Sequence, residues 1–192
     1  MTTTARIVLR DAKFAIEQHS DDLQGERFRI SWLAIHALLR AVGHVLINVD
    51  AQDPISHEAI KKIHEERKNA PIFKEFIVKG RNDFLKDYAL SAKRNLRTMV
   101  TIPKNGKTFY VDIDVGSVQG AGKASLSVQP TANVGGVIVP IQSSIESTIK
   151  KGTFAGQHEK AVAIQACEWW SDYLDAVDEH ERISRANQLN RK

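Results

Sequence analysis

The strongest constraint in this chain is a seam of apolar residues between positions 28 and 49. Phe28, Trp32, Ile35, Leu39, Val42, Leu46 and Val49 follow one another at alternating spacings of four and three residues. An α-helix brings such positions onto one face, and a face this continuous belongs against other helices. The stretch "WLAIHALLRAVGHVLINV" is also the most apolar in the chain, but His36, Arg40 and His44 interrupt it. A packed helix is therefore expected there, and no membrane span. Gly43, a poor helix former in the middle of the seam, implies that a neighbouring backbone comes close.

The flanking segments read as further helices. Residues 5–19 form a first helix, stopped by "HSDDLQGE". Asp53 before Pro54 is a good helix opening, and the helix of about 54–69 points Ile55, Ala59, Ile60 and Ile63 inward. Pro71 ends it, and "IFKEFIVK" begins another element before Gly80. A helix from Gly80 to about Leu96 then buries Phe84, Leu85, Tyr88, Ala89, Ala92 and Leu96. Beyond it the period changes to two. "TMVTIPKNGKTFYVDIDV" alternates, with Asn105-Gly106 suited to a type I′ hairpin turn. "KASLSVQ" and "GVIVPIQ" read as added strands, with Pro140 favouring an edge. A long helix from Gln157 to about Ala186 carries a broad apolar face including Trp169, Trp170, Tyr173 and Val177, and "SRANQLNRK" frays.

Helices flank the strands here and do not alternate with them, which argues for α+β, mainly α. The expected architecture is an up-and-down helical bundle with a small antiparallel β excursion. The bundle takes residues 1–96 and 156–187, and the excursion 97–152. One domain over 1–192 suits this length, which also buries a core without disulfides or metal. The single cysteine, Cys167, excludes an intramolecular disulfide and a cysteine zinc cluster. The start "MTTTARIVLRDAK" lacks the apolar core of a signal peptide, so a cytoplasmic location is expected. A homodimer is expected because the seam and the tryptophan-rich last helix offer more apolar face than one short bundle hides.

Several familiar sites fail on inspection. "SVQGAGKAS" has Ser117 where a phosphate loop needs its first glycine, and Ala124 where it needs a hydroxyl. "HEAIK" would be a zinc-protease helix only with histidine at Lys61. Cys167 beside Ala166 reads as a core thiol. No metal and no cofactor are expected. His36, Arg40 and His44, four residues apart, form one polar stripe along the seam helix. The stripe reads either as a hydrogen-bonded rib at the bundle edge or as an anion site, with a histidine available as general base.

Charge is uneven. The chain carries +4 overall, yet residues 58–107 hold thirteen basic side chains against six acidic ones. Such a segment is either a set of solvated helix faces or a surface for a phosphate backbone.

Within it lies "GRNDFLKDY", residues 80–88. Arg81, four residues, Lys86, one residue and Tyr88 resemble the motif of helical-bundle ribonuclease toxins of the HEPN superfamily. In toxins paired with a minimal nucleotidyltransferase, that frame is Arg, four residues, His, one residue, Tyr. Lys86 stands where those proteins have histidine, and Asn82 resembles the polar residue that follows their arginine. The resemblance covers residues 5–96 and implies metal-independent RNA chemistry by a 2′-hydroxyl. It assigns Arg81, Lys86 and Tyr88 to the catalytic frame, and implies an antitoxin or nucleotidyltransferase partner. Lysine starts near pKa ~10.4 and histidine near ~6.5, so the replacement harms proton transfer more than phosphate binding. The expected function is therefore binding of RNA or nucleotide phosphate, in a toxin–antitoxin or phage-defence setting. Asn82, Arg40, His36 and His44 are the candidate binding residues. A metal-independent endoribonuclease and a non-catalytic interaction module are the rival readings.

Overall fold

The computed structural model describes residues 1–20, 23, 25–87, 92–102, 107–114, 131–134, 137–149 and 151–190. Over these residues the protein is mainly α: five α-helices build a bundle, and a four-stranded antiparallel sheet is inserted before the last of them.

Helix α1 (Thr3–Gln18) buries Ala5, Leu9, Ala12 and Ile16 against α2 (Gly25–Val45) and the final helix α5 (Glu159–Leu189). Six seam residues, from Phe28 in α2 to Leu46 just past its end, lie in the core as their spacing predicts. Val49, the seventh, is 47% exposed. The reason is a change of winding: α2 runs straight into a π-helical turn, Leu46–Asp50. The wider turn, closed by i→i+5 bonds, shifts the inward position by one residue. Asp50 turns in where Val49 was expected, and accepts hydrogen bonds from the N–H groups of Thr4 (3.1 Å) and Ala5 (2.7 Å). A carboxylate from the end of this π-helical turn thus caps the start of α1, where the helix dipole favours negative charge.

Gly43 makes close contact with a side chain, where the sequence suggested a backbone. A Cβ at this position would lie 3.0 Å from the Trp170 ring of α5. Asp53 opens α3 (Pro54–Arg67) as expected, accepting from the N–H groups of Ile55 and Ser56 with Pro54 in the first turn. "IFKEFIVK" is a second π-helical segment, Ile72–Lys79, which buries Phe73, Phe76 and Ile77 and leads directly into α4 (Gly80–Asp87).

The expected helix to Leu96 is overturned. Residues from Ala92 are strand, and β1 runs Ala92–Ile102. Ala, Lys, Arg and Leu around 92–97 favour a helix locally, but pairing on both sides overrides that preference. β1 pairs antiparallel with β2 (Lys107–Asp114) on one side and β4 (Val137–Ile149) on the other. β3 (Thr131–Val134) completes the order β2-β1-β4-β3. The β1–β2 pairing ends at Ile102↔Lys107. The expected Asn105-Gly106 turn and the "KASLSVQ" strand fall outside the described residues. Pro140 pairs with Thr131 of β3, while β1 meets β4 from Ile141 onward. The proline therefore sits where β4 has a single neighbour, which meets the need of a residue with no N–H to donate.

The sheet returns to the bundle through Ile149, whose N–H donates to Gln157 O at 2.9 Å. In the following turn Gly152 has φ +89° and packs against Glu75 of the second π segment. Glu75 accepts from both the N–H and the hydroxyl of Thr153 at 2.8 Å, and these bonds hold its carboxyl below the usual range. α5 continues to Leu189, so the tail expected to fray is helical over most of its length.

One helix, 26–50, is long and apolar enough to cross a membrane among the described residues, and its seam packs inside the bundle. On the two apolar faces that motivated a dimer, Trp32 and Trp170 are 1% and 2% exposed within one chain. The apolar side chains left outside include Phe14 and Ile30.

Candidate phosphate-binding site

The polar stripe of α2 separates into three environments. His36 faces inward, T-shaped against Trp32 at 4.8 Å and tilted against Phe76 at 4.9 Å. It is 1% exposed, and neither ring nitrogen has a hydrogen-bond partner among the described residues. Burial pushes its pKa down to about 4, so the ring is neutral at physiological pH. Its wall on one side is backbone: a Cβ at Gly80 would lie 2.6 Å from His36 Cε1. His36 therefore seats the start of α4 against α2, and offers no charge to a ligand.

Gly80 has helical φ −56° and ψ −45°, so close approach is what requires glycine here. Arg81 consequently stands inside a regular helix. Five residues on, Lys86 lies about 140° around α4, and the two do not share a face of one chain. Tyr88 lies outside the described residues.

One turn beyond His36, Arg40 is half-buried, with its guanidinium carbon 5.9 Å from the centre of the Phe73 ring. Burial holds its pKa below the ordinary guanidinium value, and the nearby positive charge of Arg81 lowers it further. Gly80 seats on His36 one residue before Arg81, and Arg40 follows His36 by one turn. Arg81 Nη1 donates to Asn82 Oδ1 at 3.3 Å. Neither arginine has a carboxylate partner among the described residues. Nearby acids are engaged elsewhere: Asp83 pairs with Lys79 at 2.6 Å, and Glu75 is held by Thr153. Arg29, further back on α2, sits 3.9 Å from Glu26.

His44, a turn beyond Arg40, is exposed at the edge of a small recess. Its walls come from both π-helical segments, through Ile47 and Phe73, and from Trp170 and Tyr173 of α5. Phe73 stacks on Trp169 at 5.2 Å and meets His64 edge-on at 5.8 Å. Sequence reading placed Trp169, Trp170 and Tyr173 on the inner face of α5, but nothing local told of Phe73 or His64 beside them.

A second arrangement escaped the sequence entirely. His19, just past α1, is fully buried with Nδ1 2.8 Å from Ser31 Oγ and Nε2 3.4 Å from Glu159 Oε1. The order hydroxyl, imidazole, carboxylate resembles a nucleophile relay. Ser31, however, stands mid-helix, where the surrounding N–H groups are spent on helix bonding and none serves as an oxyanion donor. The three residues tie α1, α2 and α5 together. Cys167 is buried, and burial pushes its thiol up to about 11, which suits a core thiol.

The chain matches no protein-family model, no curated protein and no solved structure.

Proposed function

We propose that this protein binds RNA through its phosphates, with Arg40 and Arg81 as the paired anion-binding groups. One observation carries the reading: Arg40 stands half-buried one turn beyond the His36 ring on which Gly80 rests, with Arg81 the next residue, and neither arginine has a carboxylate partner among the described residues. Like charges held together and partly desolvated are costly, and a phosphate bridging them removes both penalties. Asn82 adds an amide beside Arg81. The basic segment 58–107 supplies a longer-range attraction to a polyanion. The resemblance to helical-bundle ribonuclease toxins places such binding in a toxin–antitoxin or phage-defence setting within the cytoplasm, with an antitoxin or nucleotidyltransferase as partner.

The test is fluorescence anisotropy with a labelled single-stranded RNA over a series of salt concentrations. Wild-type affinity should fall linearly on a log–log plot, and Arg40→Ala and Arg81→Ala should each flatten the slope by about 0.7. Unchanged affinity and slope in both variants would sink the proposal.

A further inference from the structure

We infer that the outer face of the α1–α2 pair docks a second copy of this chain, with the two α2 helices antiparallel across a two-fold axis. The inference goes beyond the phosphate-binding reading and does not depend on it.

α2 is apolar on more sides than one chain covers. Only 39% of the most apolar eighteen-residue stretch within 26–50 is buried. The seam accounts for the buried side. On the opposite side Ile30, Ala34, Ala37 and Ala41 follow at steps of four, three and four, within about 60° of one another around the helix. Ile30 is 67% exposed, Ala34 and Ala37 are exposed, and Ala41 is half-buried. α1 lies antiparallel alongside, joined near both ends by the Ala5–Asp50 and His19–Ser31 hydrogen bonds. Its own outward side carries Ile7 and Phe14, both exposed. A helix that is apolar all round belongs inside a structure, and an exposed apolar face of this extent marks an interaction surface.

Shape and charge select a second copy as the occupant. An antiparallel pairing that sets Ala34 opposite the partner's Ala37 also sets Ile30 opposite the partner's Ala41. The largest side chain of the stripe thus meets one of the smallest, twice by symmetry, and the alanines let the helices approach to the near end of the usual spacing of about 8–10 Å. Glu26 and His44 are eighteen residues apart, five full turns, so they lie on one edge of α2. The same pairing therefore places Glu26 beside the partner's His44, where the carboxylate accepts from an imidazole N–H. Glu26 is largely exposed, with Arg29 only within 3.9 Å of it. The area is sufficient. The 16 residues of α1 span about 24 Å and two helices side by side about 20 Å, or roughly 500 Å² in projection. Side-chain relief raises this toward the ~800 Å² per partner of a stable dimer. A lipid surface fits less well, because the exposed rim holds Asp11 and Glu26 as well as Arg10 and Arg27, with no basic excess.

Sedimentation equilibrium of the full chain tests the inference. Wild type should weigh about twice 21.5 kDa at micromolar concentration. Ala37→Glu and Ile30→Glu each bring two like charges into the interface and should raise the dimer dissociation constant more than about a hundredfold. Both positions are exposed, so circular dichroism and urea melts should match wild type. Ile183→Glu, at an exposed apolar position of α5, should leave the mass unchanged, as should Arg81→Ala. Glu26→Lys should weaken the dimer, and combining it with His44→Glu should restore it, because the pair is then exchanged across the two-fold axis. A monomeric wild type overturns the inference, as does a dimer that keeps its affinity in both Ala37→Glu and Ile30→Glu. Failure of the charge exchange to restore affinity overturns the antiparallel arrangement.

Discussion

The backbone of Gly80 rests directly on the ring of His36, leaving 2.6 Å between a Cβ at that position and His36 Cε1. No flexible side chain end is available to give way, because the ring is itself held between Trp32 and Phe76. Gly80→Ala should therefore destabilise the fold by about 1–3 kcal/mol, despite the better helix propensity of alanine. It should also move Arg81 away from Arg40. Urea melts measure the first effect and RNA anisotropy the second. A stabilised Gly80→Ala protein would show that this contact does not set the position of α4.

His36 should make stability depend on pH. Its folded pKa, about 4, lies below the ordinary value of 6.5, so the unfolded chain binds this proton more readily. The contribution of the neutral ring is fully present above about pH 6.5 and is lost as pH falls toward 4. Between pH 7.5 and 4.5 the loss should be about 2–3 kcal/mol. Urea midpoints for wild type and His36→Phe isolate it, since the phenylalanine variant lacks this titration. Parallel pH curves for the two proteins would refute the assignment.

Trp32 and Trp170 anchor separate parts of one core. Truncation of either to alanine should cost about 3–5 kcal/mol in denaturant melts. Trp170→Ala should in addition loosen Arg40, because the indole packs against Gly43 one turn away. A cost below about 1 kcal/mol for either would contradict the burial described here.

Lys86→His restores the residue of the ribonuclease frame, but on α4 it stands about 140° from Arg81. No metal-independent cleavage should appear when the variant is incubated with RNA and EDTA and the products are resolved on a gel. Cleavage that depends on both Arg81 and the new histidine would mean that a second chain completes the site.

Much of the bundle could be read directly from the chain. The seam of α2, the Asp53-Pro54 opening and the inner face of α5 each depend on residues near one another in sequence. The π-helical segments could not be read this way, because Phe73, Phe76 and Ile77 have spacings that an α-helix also satisfies. The strand at 92–102 was hidden for a related reason: its local preference is helical, and only partners at 107–114 and 141–149 make it extended. Within the candidate site, Arg40 and Arg81 were identified separately, one by its stripe and the other by its motif. What the stripe concealed was that steps of four cross from core to surface, burying His36 while exposing His44.

The π turn at 46–50 carries a consequence for how this chain tolerates change. Removing one residue there would restore ordinary helical phase, returning an apolar side chain to the core position now held by Asp50. That would look locally like an improvement, since a regular helix replaces an irregular one. The cost would appear some forty-five residues upstream, where α1 would lose the carboxylate that receives the N–H groups of Thr4 and Ala5. The extra width of a single turn thus acts as a spacer that keeps the end of one helix in step with the beginning of another.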